Sequence, residues 1–199
     1  MRSGLRERKK LATRRALHEA ALRLVAERGL DSVSVEDIAA RADVSPRTFF
    51  NYFSSKDDAV VGFDPGAPES QADAFRSRPA GESPVEALRA VARAQAEEMA
   101  GEPELWPLRL KVVETHPVLT GRLAAGFGAS ERALAAAIAE RTGTRLDADV
   151  YPMLLAAAGA AAMRTAMHLW LATGFTASFP GLVDEAWDVL VAGLPAPPD

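Results

Sequence analysis

Residues 34–58 read SVEDIAARADVSPRTFFNYFSSKDD, and this segment decides the fold. Its opening serine and Asp37 have the spacing of a capping box, which predicts the start of a short helix with an apolar stripe. Pro46 disfavours helical geometry at the residue before it but suits the first position of a new helix. The segment therefore predicts two short helices joined by a tight turn, at residues 34–42 and 46–53.

The rest of the chain also follows helical spacing, and no stretch alternates apolar and polar residues over the length of a strand. Residues 62–84 are rich in proline and glycine, which predicts a long loop with a helical turn near 71–76. Further helices are predicted at residues 5–28, from 56 onward, and at 84–99, 103–115, 117–141 with a break near 126–128, 149–173 and 180–193. The sequence thus predicts an all-α fold of about nine helices, with an N-terminal three-helix helix-turn-helix domain (1–60) and a larger helical domain (61–199).

The charge of the chain is unevenly distributed. The net charge is −4, yet residues 1–60 hold 12 basic against 9 acidic side chains, and residues 61–199 hold 11 against 18. Residues 1–15 alone contain seven Lys or Arg and one Glu. A basic end on an acidic body favours contact between that end and a polyanion, because counterion release depends on the local basic footprint. A solvated, charged helix face is the alternative explanation.

Cysteine content and hydropathy indicate the cellular compartment in which we expect the protein. The chain contains no cysteine, which excludes disulfides and thiolate sites and suits a reducing cytoplasm. The basic N-terminus lacks the apolar stretch of a signal peptide. Residues 150–163 carry no charge, but this run is shorter than a bilayer span, so we expect a buried or interface helix and no membrane partner. The expected location is the cytoplasm.

The second helix of the pair carries side chains suited to nucleic acid. Arg47 can donate to both acceptors of guanine, and Asn51 can pair with adenine. Phe49 and Phe53 are four residues apart and therefore share one face, which we expect to pack into the core. A short helix with one apolar and one polar face after a tight turn predicts a DNA-binding helix-turn-helix.

Two other functional classes have weaker support. His18, His116 and His168 are far apart in sequence, and neither a phosphate-binding glycine loop nor a two-histidine metal spacing is present. We therefore expect no catalytic residue, no metal ligand and no cofactor. An acid–base pair assembled in space keeps an enzyme as one alternative, and a helical adaptor with a merely structural helix-turn-helix is the other.

At residues 13–59 the sequence resembles the TetR family of bacterial transcriptional regulators. The matching features are Thr13-Arg14, Ala20-Ala21, Glu27-Arg28-Gly29, Val35 to Ile38 with Ala39-Ala40, Val44-Ser45, Thr48 to Phe53 and Ser55-Lys56-Asp57. Asp43 stands where the family commonly has glycine, and Phe50 where it commonly has tyrosine. The run 47–53 is similar to that of actinobacterial members, including regulators linked to mycofactocin clusters that sense acyl-CoA.

The resemblance implies a homodimer that binds a palindromic operator in double-stranded DNA, represses transcription and is released by a small-molecule effector. It implies base contacts for Arg47 and Asn51. Phosphate contacts are implied for Ser34, Thr48, Tyr52 and Lys56, with Ser45 as a helix cap beside them and an N-terminal arm of Arg6, Arg8, Lys9 and Lys10 reaching the backbone or minor groove. Solvated disorder is the alternative for that arm.

Aromatic, thioether and apolar side chains of the larger domain are candidates for a pocket that binds a small apolar or amphipathic effector. Core packing is the alternative for each of them. The candidates are Trp106, Leu110, Val113, His116, Phe127, Met163, Met167, His168 and Trp170. Small side chains at 156–162 and apolar side chains at helical spacing between Leu182 and Leu190 predict that the last two helices form the dimer interface.

Overall fold

The computed structural model describes residues 2–62, 64–101 and 103–196, with the side chains of residues 2–8 and 103 outside that description. Across the described residues the chain forms ten α-helices, a 3₁₀ turn at Pro103–Leu105 and no β-strand, which confirms the predicted all-α class. The helices are α1 (Arg2–Arg28), α2 (Val35–Arg41), α3 (Pro46–Phe50), α4 (Lys56–Val61), α5 (Ala67–Arg76), α6 (Pro84–Met99), α7 (Trp106–Thr115), α8 (Pro117–Thr142), α9 (Val150–Ala172) and α10 (Phe179–Val191).

Serine side chains fix the starts of the short helices, as the sequence predicts. Ser34 Oγ accepts from the backbone N–H of Asp37, and the Asp37 carboxylate accepts from the backbone N–H of Ser34, which completes the capping box of α2. Ser45 caps α3, and Ser83 closes a second capping box at α6. Each cap satisfies amides that would otherwise lack a partner at the helix start.

Three features of the helices differ from the prediction: the end of α3, the presence of α5 and the continuity of α8. The helix α3 ends at Phe50 instead of residue 53, because Tyr52 and Phe53 both donate to the carbonyl of Phe49 and close the chain into a turn. The segment predicted as a loop contains α5, whose Ala72 and Phe75 are buried three residues apart. Tertiary burial of this kind outweighs the loop-like composition before it. The helix α8 runs without a break through residues 126–128.

The helices group into two compact units, Met1–Pro65 with Glu104–Gly126, and Gly66–Pro103 with Phe127–Asp199. In the first unit α1 packs against α2, α4 and α7. Its core combines side chains of the helix-turn-helix with Leu105, Val112 and Leu119. The buried carboxylate of Asp58 accepts from Arg122 Nη1 at 2.8 Å and from Ser54 Oγ, so this buried charge is paired.

The second unit is built on α9, which packs against α10 and α6. A Cβ placed on Gly159 would lie 3.0 Å from Leu88 Cδ2 and 3.2 Å from Trp187 Cζ2, so the absence of a side chain permits this close approach. The Trp170 ring stacks on Phe179 with centroids 4.7 Å apart. In a partly buried ion pair, Arg89 Nε lies 3.1 Å from Asp184 Oδ1 and joins α6 to α10.

The helix α9 is long and apolar enough to cross a membrane, judged by length and composition alone. Core helices of soluble proteins meet the same criterion. In this chain the small residues Ala156, Gly159, Ala162 and Ala166 are buried within the protomer on one side of α9, where Gly159 faces Leu88 of α6 and Trp187 of α10. The prediction that the small residues of 156–162 pack against a second protomer is therefore wrong for Ala156, Gly159 and Ala162, because these residues permit close packing inside the chain.

Candidate nucleic-acid interface and apolar cavity

The turn between α2 and α3 depends on one residue in a left-handed conformation. Asp43 has φ +54°, and its neighbours close the turn through a Val44 N–H to Ala39 carbonyl hydrogen bond of 2.9 Å. Aspartate adopts this region more readily than most residues other than glycine. The expectation that the turn tolerates aspartate in place of glycine is therefore confirmed.

The helix α3 has an outer face and an inner face of different chemistry. Arg47, Phe50 and Asn51 are exposed, and their spacing of three and four residues places them together on the outer face. Phe49 and Phe53 are buried on the inner side with ring centroids 5.8 Å apart, which confirms their predicted core packing. The polar groups that can pair with the edges of DNA bases therefore lie on the outer face, and buried aromatic rings lie beneath them.

Ser34 and Ser45 form hydrogen bonds with residues of the helices that they cap. Ser45 Oγ lies 2.9 Å from Thr48 Oγ1 and accepts from the Thr48 N–H at 3.1 Å. Ser34 Oγ donates to the Asp37 carboxylate at 2.6 Å, and this hydrogen bond holds the pKa of Asp37 below its usual range. The phosphate contacts predicted for Ser34, Ser45 and Thr48 stay predictions beside these capping roles.

The structure gives Lys56 a second role that its position in sequence does not reveal. Lys56 Nζ donates to the carbonyls of Leu30 at 2.6 Å and Val33 at 3.0 Å, and so ties α4 to the segment between α1 and α2. Its predicted phosphate contact stays a prediction, because an ammonium group has three N–H donors and these carbonyls use two of them.

We expect Lys56→Met to lower both stability and DNA binding. The methionine keeps an apolar stem but leaves the two carbonyls without their charged donor, which costs about 1–2 kcal/mol of unfolding free energy. Affinity for all DNA sequences should fall alike if Lys56 also contacts phosphate. Urea unfolding and titration with specific and unrelated DNA measure the two effects. Lys111→Met, at an exposed lysine of α7, is the control; equal stability of the two variants would contradict the bracing role.

Arg14 positions the residues that follow α3, a role that sequence reasoning missed although it noted Arg14 as a family feature. Its Nη1 donates to the Tyr52 carbonyl at 3.0 Å, and its guanidinium lies 4.4 Å from the centre of the Phe53 ring. Arg14 Nε also lies 3.4 Å from Asp64 Oδ2. Tyr52 itself is half-buried against the core, and its phosphate contact stays a prediction.

The C-terminal end of α4 is held by two basic side chains. His18 Nδ1 lies 2.7 Å from the Ala59 carbonyl, and because a carbonyl only accepts, this nitrogen carries the proton. Arg109 of α7 donates to the Val61 carbonyl. A Cβ at Gly62, which has φ +69°, would lie 3.1 Å from His18 Cε1. His18 falls within the apolar stripe of α1, and that placement was the available signal for a structural histidine.

Stability should depend on His18 below neutral pH. Desolvation of the ring, helped by the charge of Arg109, lowers the pKa of His18 from 6.5 to about 4. Between these values the unfolded chain binds a proton that the folded chain does not, so the free energy of unfolding falls as pH falls. The slope approaches about 1.4 kcal/mol per pH unit.

Urea unfolding at pH 7, 6 and 5 checks this pH dependence. His18→Gln keeps an N–H donor for the Ala59 carbonyl but has no titrating group. We expect the variant to lose less stability than the parent between pH 7 and 5. Parallel losses in the two proteins would contradict the assignment.

An apolar cavity of about 300 Å³ lies in the second unit, with walls from α5, α6, α8 and α9. Four of the predicted effector residues line it: Phe127, Met163, Met167 and His168. The other walls include side chains from α6 that sequence reasoning did not single out, among them Leu88, Val91 and Met99. Polar groups reach the cavity from Gln71, Gln95, Ser130, Glu131 and Arg164. Such a surface can enclose an apolar group and hydrogen-bond a polar end.

The remaining predicted effector residues do not line this cavity. Trp106, Leu110, Val113 and His116 belong to the first unit, where Arg109 lies 4.8 Å from the Trp106 ring centre and Val113 packs against the helix-turn-helix core. His116 Nε2 accepts from the Leu30 N–H at 3.4 Å, and its Nδ1 donates to the Val112 carbonyl at 2.8 Å. Trp170 packs on Phe179. Effector contacts for these five residues stay predictions.

The basic arm is partly described. Lys9 and Lys10 are exposed on α1, whereas the side chains of Arg6 and Arg8 lie outside the described residues.

Within the residues that were searched, no three His, Cys, Asp or Glu side chains are grouped as metal ligands.

Comparison with known proteins decides the family. Residues 17–60 match the model described as "Bacterial regulatory proteins, tetR family", and residues 82–195 match the "MftR C-terminal domain". The chain belongs to the TetR family of transcriptional regulators. It is 35% identical over 173 residues to the HTH-type transcriptional regulator TcmR of Streptomyces glaucescens, covering 84% of this chain and 76% of TcmR. TcmR and the proteins of the matching N-terminal family are transcriptional regulators, which are not enzymes.

Solved structures of other proteins share the fold. SmeT of Stenotrophomonas maltophilia in complex with triclosan aligns with a TM-score of 0.59 and 20% identity, over 94% of this chain and 99% of SmeT. Thermus thermophilus FadR in complex with lauroyl-CoA aligns with a TM-score of 0.53 and 24% identity, over 94% of this chain and 97% of FadR. At these identities the alignments establish the fold alone.

Proposed function

We propose that this TetR-family regulator binds a palindromic operator as a dimer, represses transcription in the cytoplasm and is released by a small apolar or amphipathic effector. The observation that carries the proposal is the outer face of α3, where Arg47 and Asn51 are exposed over a buried aromatic anchor. Arg47 contacts guanine and Asn51 adenine in the major groove. Ser34, Ser45, Thr48, Tyr52 and Lys56 contact the phosphate backbone.

Residues 1–60 form the DNA-binding domain in this proposal, and residues 61–199 form the effector-binding and dimerisation domain. Exposed apolar side chains support a dimer interface on α9 and α10, among them Leu154, which is 61% exposed, and Val189, which is 44% exposed. Several exposed apolar side chains on two neighbouring helices are typical of an interaction surface. A symmetric pair places two copies of α3 about one DNA turn, or a multiple of it, apart.

The effector occupies the cavity of the second unit. Its walls are mainly apolar, and the ligands named for two structural neighbours, triclosan and lauroyl-CoA, are apolar or amphipathic. Effector binding shifts an existing equilibrium of the protein towards a form with lower operator affinity. By reciprocity, saturating operator DNA weakens effector binding by the same factor.

A substitution that fills the cavity should weaken effector binding without changing DNA binding. Ala160 lines the cavity, and Ala160→Trp places an indole where the effector binds. We expect binding of the fluorescent amphiphile 1-anilinonaphthalene-8-sulfonate to weaken on the order of tenfold or more, which corresponds to at least ~1.4 kcal/mol. DNA affinity should stay unchanged. Ala124→Trp, at an exposed position of α8, is the matched control, and undiminished probe binding by Ala160→Trp would contradict the site.

A mobility-shift titration tests the proposed regulator. The probe is the duplex upstream of the protein's own coding sequence, titrated at several salt concentrations. We expect one dimer per site and an affinity that falls steeply as salt rises. Binding no tighter than to an unrelated duplex would contradict the presence of an operator in this DNA.

A further inference from the structure

Phe50 is an exposed aromatic side chain in the middle of the outer face of α3. It is 58% exposed and follows Arg47 by three residues, and Asn51 follows it directly. An isolated exposed apolar residue is common on protein surfaces. Phe50 differs because both of its neighbours on that face carry groups that pair with base edges, so any duplex that they contact also covers the Phe50 ring.

The Phe50 ring contacts the core through Phe49. Its centroid lies 5.4 Å from that of Phe49, with the two ring planes at 87°, an edge-to-face contact. Phe49 is fully buried, so this contact anchors Phe50 to the core. A side chain held in this way loses little conformational entropy when it is covered by a partner.

The chemistry of the ring limits what it can contact. A phenyl group offers no hydrogen-bond donor or acceptor, so it cannot bond to a phosphate oxygen or to the polar edges of guanine, adenine or cytosine. The apolar group that B-DNA presents in the major groove is the C5-methyl group of thymine. We infer that the Phe50 ring packs on a thymine methyl group and so specifies thymine at one position of each half-site.

This inference rests on the proposed DNA binding, and the test separates the two. The protein is first used to select duplexes from a random DNA pool. The selected duplex is then synthesised with each thymine replaced in turn by deoxyuridine, which removes the methyl group and leaves the base pair unchanged. Burial of one methyl group predicts about a fourfold loss of affinity at the contacted position, and about fifteenfold when both half-sites are changed.

Variants assign the effect to the ring. In Phe50→Ala the thymine and deoxyuridine duplexes should bind equally, whereas Phe50→Leu, which keeps an apolar side chain, should retain part of the preference for thymine. Val118→Ala, at a site 55% exposed on α8, is the matched control and should discriminate like the parent.

The outcomes are distinct. Equal binding of the parent to every thymine and deoxyuridine duplex would overturn the inference while leaving DNA binding intact. Undiminished discrimination by Phe50→Ala would also overturn it, because another residue would then contact the methyl group. Failure of the parent to select any duplex would overturn the proposed function itself and the inference with it.

Discussion

Arg47→Ala should abolish the preference of the protein for guanine at one position of each operator half-site. A bidentate contact between an arginine and guanine contributes about 1–3 kcal/mol of discrimination, so a symmetric dimer loses about twice that amount. The expected loss of operator affinity is therefore on the order of 30-fold to 20,000-fold. Because the Arg47 side chain is exposed, its removal should leave the fold unchanged.

Competition titrations with operator and unrelated duplexes measure this change. Affinity for unrelated DNA should fall far less than affinity for the operator, so that the ratio between them collapses. Arg145→Ala removes the same charge at a highly exposed position of the second unit and is the control. If Arg47→Ala weakens operator and unrelated DNA by the same factor, Arg47 contacts phosphate and not a base.

Phe49→Ala should cost the helix-turn-helix about 3–5 kcal/mol of unfolding free energy, the usual cost of emptying a buried phenylalanine site. Phe49 is fully buried, and it contacts both Phe50 and Phe53. Its loss removes the anchor under the outer face of α3, so DNA binding should fall together with stability. A small domain has total stability of about 5–15 kcal/mol, which makes this a large fraction.

The neighbouring position supplies the control for this prediction. Phe50→Ala removes the same aromatic ring from an exposed site, and should lower the unfolding free energy by only about 1 kcal/mol, the usual contribution of an edge-to-face contact such as that with Phe49. Thermal and urea unfolding followed by circular dichroism compare the two variants. Equal destabilisation by Phe49→Ala and Phe50→Ala would contradict the assignment of an inner and an outer face to α3.

The local features of the helix-turn-helix could be predicted because they depend on short-range interactions. The capping box at Ser34, the proline start of α3 and the left-handed turn at Asp43 each involve residues within a few positions of one another. The inward face of Phe49 and Phe53 follows from helical spacing alone. The end of α3 was not predicted: the chain turns there because Tyr52 and Phe53 both donate to the Phe49 carbonyl, and Arg14 of the distant α1 donates to the Tyr52 carbonyl.

Long-range interactions account for what the sequence did not reveal. Nothing adjacent to Lys56 indicates that its ammonium binds carbonyls 26 and 23 residues earlier. Likewise, nothing adjacent to His116 indicates that its ring accepts from the Leu30 N–H, 86 residues earlier in the chain. The four candidates that do line the cavity lie on α8 and α9, whose periodicity indicates an inward face but not which part of that face borders a cavity.

Selection from a random duplex pool tests most directly whether the outer face of α3 contacts base edges. We expect enrichment of a palindrome whose half-sites are centred about 10 base pairs, or a multiple of that, apart, with guanine, adenine and thymine at fixed positions. The same selection with Arg47→Ala should lose the guanine and keep the remaining pattern. Selected sequences without any shared motif would contradict the claim, as would an unchanged motif for Arg47→Ala.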